Sequence, residues 1–399
     1  MTDSLHSTQQ QQQQYTQPTT EERPFKAALS PIPSPTFRPC RTVPDRFPST
    51  ITYEMSTTAT RPTINPSPLA RRRRGGSLSA PFAGRLGGNQ EFTVDRSDPK
   101  NEELLKKVPD AAPNLTLQES FDLRGFREVE LWKAALIEFV GTLIFAWASA
   151  WNSLSPDTPP PAPSETAGPF SRSYFLGPLV AAPINAILLA LLIFSFGAIS
   201  GAHFNPLITI GTFFARLTTF PRLVMYVAAQ TSAAALAGLL LRASANTRDF
   251  KVGGCYLFED MGTPVSSAFT IEVVADLLLL VLAFGVGLDP RQREIFGPAL
   301  GPIFVGLAVG SMALCTAFSL PAYGGASLNP ARCFGVFVGS RFPGWHWVHW
   351  VAPLVASAFH GVVYFLVPPG EPNRAHAHKI GRATHKTEPQ SQEDGKESV

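Results

Sequence analysis

Residues 200–207 read Ser-Gly-Ala-His-Phe-Asn-Pro-Leu, and residues 324–331 read Gly-Gly-Ala-Ser-Leu-Asn-Pro-Ala. Each leads into an apolar segment, Asn205–Ala215 and Asn329–Gly339, about half as long as a helix that crosses a hydrocarbon layer. Asn is a good N-cap and Pro suits the first helical turn, so both segments read as short helices with sharply defined starts. A helix that ends at membrane depth is tolerated only where it lines a protein cavity or a watery path. The pair of segments therefore already speaks to function.

The membrane itself is read from the flanks of these two segments. Six long apolar runs surround them, roughly Leu131–Trp151, Gly177–Phe196, Leu223–Leu241, Ser267–Leu288, Phe296–Phe318 and Trp347–Val367. Each has about the 20 residues a spanning helix needs. Between residues 131 and 367 only 21 of 237 residues are charged, although the whole chain is 16% charged. A soluble domain carries about a quarter, so an ordinary soluble enzyme domain is excluded. No paired catalytic carboxylates, metal-ligand cluster or nucleotide-binding loop stands out, so no enzyme, metal or cofactor is expected. The net charge of +3 is small and spread over both ends, which gives no reason to expect nucleic acid as a partner.

The two halves resemble each other. Glu138, in the first run, precedes Asn205 by 67 residues, and Glu272, in the fourth, precedes Asn329 by 57. The Pro-rich stretch around Asp157 to Pro163 absorbs the difference. Three spans per half is an odd number, so the second copy is expected upside down. Inverted repeats with broken helices place a solute path at the repeat interface near the midplane. The expected fold is an all-α membrane protein of six transmembrane helices plus two re-entrant half-helices. Small residues in the runs (Gly141, Ala233–Ala237, Gly306, Gly310) suit close helix approach in lipid.

These residues bring the chain to a family. SGAHFNPL at 200–207 and GGASLNPAR at 324–332 resemble the paired signature of the aquaporin or major intrinsic protein family, and the resemblance covers roughly residues 130–367. Leu207 in place of Ala, with Cys333 directly after Asn-Pro-Ala-Arg, is similar to the X intrinsic proteins of fungi and plants. The resemblance implies a channel for water and small neutral solutes, assembled as a homotetramer in lipid with one pore per subunit. It places Asn205, Pro206, Leu207, Asn329, Pro330 and Ala331 at the central constriction. Arg332 becomes one of four filter residues, and counting in register gives Asn185, Ala317 and Ala326 as the others. Two alanines make that filter wide, which suits glycerol, urea or hydrogen peroxide. Leu207, bulkier than Ala, stands against this as a residue that narrows the midpoint, so a narrow water-selective pore is the alternative. A gated or non-conducting member of the fold is a third reading.

By the same resemblance Glu138 and Glu272 brace the re-entrant loops. For His203 two readings stay open, a brace for its loop or a residue at the pore mouth. Cys255 and Cys333 fall on one side of the expected topology, either as a disulfide or as two thiols. Residues 1–128, with a glutamine run and the Arg71–Arg74 block, read as a disordered tail, and 368–399 as a second one; 129–367 is the channel. The basic N-terminal tail puts both tails in the cytoplasm. The plasma membrane is the expected location, with an internal, vacuolar membrane as the alternative.

Overall fold

The computed structural model describes residues 81–86, 93–156, 173–288, 299–317, 320 and 322–367. The arginine block, the loop at 157–163, the basic connection at Arg291 and Arg293, and residues 368–399 lie outside this set.

Eight helices build the apolar region among the described residues. They are α1 (Val129–Trp151), α2 (Ser173–Ser200), α3 (Pro206–Phe214), α4 (Phe220–Ala245), α5 (Val265–Ala283), α6 (Leu300–Thr316), α7 (Pro330–Gly339) and α8 (Val348–Leu366). A π-helical turn, Phe284–Leu288, extends α5. Five helices are long and apolar enough to cross a membrane, and α6 is a shorter apolar helix of 17 residues. The remaining pair, α3 and α7, are the half-helices, 9 and 10 residues long. Strands β1 (Leu154–Pro156) and β2 (Phe250–Val252) form a small antiparallel ribbon, with Leu154 opposite Val252. It joins the end of α1 to the segment after α4 and is the one non-helical element pair in the channel region among the described residues.

The helix contacts show the internal symmetry. α1 packs on α4 as α5 packs on α8; α3 packs on α8 as α7 packs on α4; and α2 packs on α6 across the centre. Exchanging the two halves leaves this pattern unchanged. Each half-helix therefore leans on the third span of the opposite repeat. Glycine makes the closest of these contacts possible: a side chain at Gly238 of α4 would overlap the Gly335 carbonyl of α7. In lipid, where apolar burial supplies little drive, such backbone approach is what holds helices together.

Large apolar side chains such as Trp132, Leu136, Ile187, Leu278 and Phe359 point outward, at 47–61% exposure. They make the outside of the bundle suited to lipid.

The expectation of a disordered tail through residue 128 fails for its C-terminal part. Short helices cover Pro99–Asn101, Glu102–Lys107, Pro109–Ala111, Leu117–Ser120 and Leu123–Arg127. Average composition hid the local signals that order them. Thr116 and Glu119 form a reciprocal capping box, which satisfies two otherwise orphaned donors. Arg96 Nη1 lies 2.6 Å from Glu119. Burial raises the Glu119 carboxyl, but its bonds to Thr116 and Arg96 outweigh that and hold it below the usual carboxylate range. Asp110 takes Arg222 of α4 in a fork, at 2.7 and 3.2 Å, with both side chains buried.

The candidate pore

Each half-helix begins as its sequence demands. Asn205 caps α3 by accepting the Leu207 N–H at 2.9 Å, and Asn329 caps α7 by accepting the Arg332 N–H at 3.2 Å. With the oxygens so used, the amide nitrogens reach across: Asn205 Nδ2 donates to Leu328 O at 2.7 Å, and Asn329 Nδ2 donates to Phe204 O at 2.9 Å. The two helix N-termini therefore face each other at the centre, tied by a reciprocal pair of bonds. An amide has two N–H donors, so each Asn keeps one beyond its cross-bond. Both residues retain a little exposed surface, 8% and 4%. Leu207 and Ala331 have none. Leu207 packs into the apolar core with Ile208, Phe204 and Leu279, and its carbonyl accepts from Ser357 Oγ at 2.8 Å.

The loops leading into the caps are irregular in the same way. Gly201 and Gly325 have φ of +92° and +88°, and Phe204 and Leu328, each just before its Asn, have +49° and +58°. Left-handed backbone at non-glycine residues is strained, and here buried carboxylates hold it. Glu138, fully buried, accepts from Ser200 Oγ, His203 N, Phe204 N and Gln230 Nε2 at 2.6–3.0 Å. Glu272 accepts from Ser327 N and from Tyr323 OH at 2.9 Å, and His349 Nδ1 lies 3.1 Å away. Glu138 and Glu272 thus stand at matched places, each under its own loop. The His203 backbone is part of this brace. Its ring lies at the tail side of the loop, with Nδ1 3.0 Å from Thr209 Oγ1 and Nε2 2.7 Å from Gly84 O.

Arg332 follows Ala331 on the first turn of α7 and is almost fully buried. Its Nε donates to Ser149 Oγ at 2.9 Å; Nη1 faces Gly253 O at 2.9 Å and Cys255 Sγ at 3.4 Å; Nη2 faces Ser149 O and Ser153 Oγ, both at 3.2 Å. All of these acceptors are neutral, so the guanidinium is fixed in place while its charge is not cancelled. Asn185 sits near the same end of α1, where its Oδ1 accepts from Asn152 Nδ2 at 3.3 Å. Ala317 ends α6, and Ala326 N donates to Thr316 Oγ1 at 3.0 Å, which sets these two alanines beside each other. Cys255 and Cys333 are joined as a disulfide, with Cα atoms 5.3 Å apart. The bridge ties the β2 segment, which carries Gly253, to the residue after Arg332.

Several contributors escaped the sequence reading. Ser149 and Ser153 are one helical turn apart at the end of α1, a spacing that puts both on one face, but serine in an apolar helix has many uses. Gln230 is another, since its amide bonds both Glu138 and Thr209. Asp276 was not singled out. It lies one turn after Glu272, wholly buried, and neither of its oxygens has a hydrogen-bond partner among the described residues. Thr142, at the matched position after Glu138, likewise has an unpartnered hydroxyl.

Comparison with known proteins gives the family of the chain. The sequence model of the family described as Major intrinsic protein matches residues 125–364. The chain is 32% identical over 243 residues to Aquaporin TIP1-1 of Zea mays, covering 59% of this chain and 86% of that protein. It is 32% identical over 264 residues to Aquaporin TIP1-2 of Musa acuminata, covering 65% and 91%. A solved structure of the aquaglyceroporin from Plasmodium falciparum matches at 19% identity and a TM-score of 0.42, covering 60% of this chain and 98% of that one. The described spans, the paired half-helices and the family match lead to one conclusion: the chain belongs to the major intrinsic protein family and is a multi-pass membrane channel for water and small solutes, not an enzyme.

Proposed function

We propose that the channel has a wide filter and passes glycerol, urea or hydrogen peroxide as well as water, while excluding ions and protons. Asn185, Ala317, Ala326 and Arg332 form the filter, and Asn205 and Asn329 the central constriction. The observation that carries this reading is the pairing of two alanines, Ala317 and Ala326, at a site where Arg332 is already pinned against α1 by Ser149 and Ser153. Methyl groups leave room that an aromatic side chain would fill. The narrow alternative relied on Leu207, which is enclosed in the core and presents no surface to a path.

Charge exclusion has two sources. The N-termini of α3 and α7 each carry roughly half a positive charge, and Arg332 adds a fixed one. Together they repel cations, and the opposed helix ends orient passing waters oppositely in the two halves, which interrupts a proton wire. The tail side is cytoplasmic, the subunits form a homotetramer, and the plasma membrane is the location. The likeness to X intrinsic proteins rests on Leu207 and Cys333.

Proteoliposomes under an inward glycerol gradient test the filter. They should shrink fast and then re-swell fast; shrinkage without re-swelling would exclude the wide filter and leave a water pore.

A further inference from the structure

Residues 81–86 form a short segment far from α1 in sequence, yet five of its six residues are buried. Phe82, Ala83, Arg85 and Leu86 are each no more than 2% exposed. On one side the segment meets the Asp110 stretch, and on the other the loop that leads to Asn205. The segment turns at Ala83–Gly84, and the tip of the turn meets His203, two residues before Asn205, through the Gly84 O contact at 2.7 Å. Leu86 N donates to Gly201 O at 3.0 Å, and Arg85 Nη1 donates to Gly197 O at 2.7 Å. The Phe82 ring lies 5.6 Å from the His203 ring.

The position of these bonds matters more than their number. Residues 201–204 are the irregular stretch that runs inward to the Asn205 cap, and non-helical backbone at membrane depth exposes its carbonyls to a watery path. Gly201 O is one of those carbonyls, and Leu86 occupies it. From the closed arrangement of segment, loop and ring we infer that residues 82–86 are a plug that closes the tail-side mouth of the pore. This inference rests on the channel reading above.

The plug is latched to the structure around it. Ala83 N donates to Asp110 O at 2.7 Å, and Asp110 holds Arg222 in its fork. Arg222 stacks over Phe82, with 4.0 Å to the ring centroid, and donates to Tyr226 OH at 2.9 Å; Tyr226 OH in turn donates to Ser200 O at 2.6 Å. A continuous chain of contacts thus runs from the plug to Ser200, whose hydroxyl bonds Glu138. The plug (residues 82–86) and its latch (Asp110, Arg222, Tyr226 and Ser200) all belong to this chain, so the device needs no partner.

The test compares three purified proteins in proteoliposomes by stopped-flow shrinkage, each normalised to the protein incorporated. They are the full chain, a variant lacking residues 1–92, and the full chain with Phe82→Asp, which puts a carboxylate where the ring is buried. The deletion keeps Asp110 and its fork to Arg222, and the point variant keeps every other residue, so one checks the other against misfolding. Both variants should raise unit water permeability roughly tenfold, as for a closed state holding about nine-tenths of the population. Equal, fast shrinkage in all three would overturn the plug and leave the channel reading intact. Shrinkage at the rate of empty vesicles in all three would overturn both.

Discussion

Asn205 and Asn329 are 124 positions apart in the chain, and each donates its side-chain amide to the carbonyl directly preceding the other, at 2.7 and 2.9 Å. The arrangement follows from the cap. An N-cap Asn uses its oxygen on its own helix, so its nitrogen is available to the neighbour, and only a neighbour with the same geometry upside down can return the bond. The inverted repeat is thus closed at its centre by two residues of one type.

Replacing either Asn by Ala removes a cap and leaves a buried carbonyl, Leu328 O or Phe204 O, without its donor. The cap is worth about 1 kcal/mol and the orphaned carbonyl about 1–3 kcal/mol. Asn205→Ala and Asn329→Ala should each lower stability by about 2–4 kcal/mol, and by similar amounts because the two sites are equivalent. Thermal unfolding of the purified protein in detergent measures it; a large asymmetry between the two would contradict the reciprocal bond.

The buried carboxylates Glu138 and Asp276 should respond oppositely to loss of charge. Glu138 accepts four bonds, and Glu138→Gln turns an acceptor toward donors, which should cost about 3 kcal/mol or more. Asp276 has no partner among the described residues and lies one turn from a second carboxylate. Asp276→Asn should therefore leave stability unchanged or raise it. The same unfolding assay compares the two, and a destabilised Asp276→Asn would show that the carboxylate is used.

Filter width is set by what is absent at Ala317 and Ala326. Ala317→Phe should cut glycerol re-swelling by about tenfold or more, an added barrier of about 1.4 kcal/mol, while water flow falls less. Equal loss of both would mean that Ala317 does not face the path.

The disulfide stabilises the far side of the channel. A bridge that closes a loop of this length contributes about 2–4 kcal/mol, so a thiol reductant should lower the melting temperature of the native chain and leave that of Cys333→Ser unmoved. With Cys40 and Cys315, the latter a free and exposed thiol, replaced by Ser, a mercurial should leave water flow through the oxidised protein unchanged and block it after reduction, when Cys333 beside Arg332 becomes a thiol. Block without reduction would contradict the bridge.

The fold was legible because membrane burial writes itself into long stretches: six apolar runs and two Asn-Pro starts survive any local ambiguity. Asn205, Asn329, Glu138 and Glu272 were legible because they recur at matched places in both halves. What stayed hidden depended on contacts between distant segments. Ser149 and Ser153 look like any small polar residues of a packed span until Arg332 is seen against them. The segment at 82–86 carries no periodicity, and its burial comes from the surface it enters rather than from its own sequence. Capping at Thr116 and Glu119 was present in the sequence, but average composition over a long polar region masked it.

A pore of this design conducts neutral solutes and stops protons at the paired caps. Proteoliposomes holding the protein and an entrapped pH-sensitive dye test both parts at once, under an osmotic gradient and then a proton gradient. Water efflux well above that of empty vesicles, with proton entry no faster than theirs, is the expected result. Proton entry that rises together with water efflux would contradict the account, because the opposed N-termini at Asn205 and Asn329 would then fail to break the water wire.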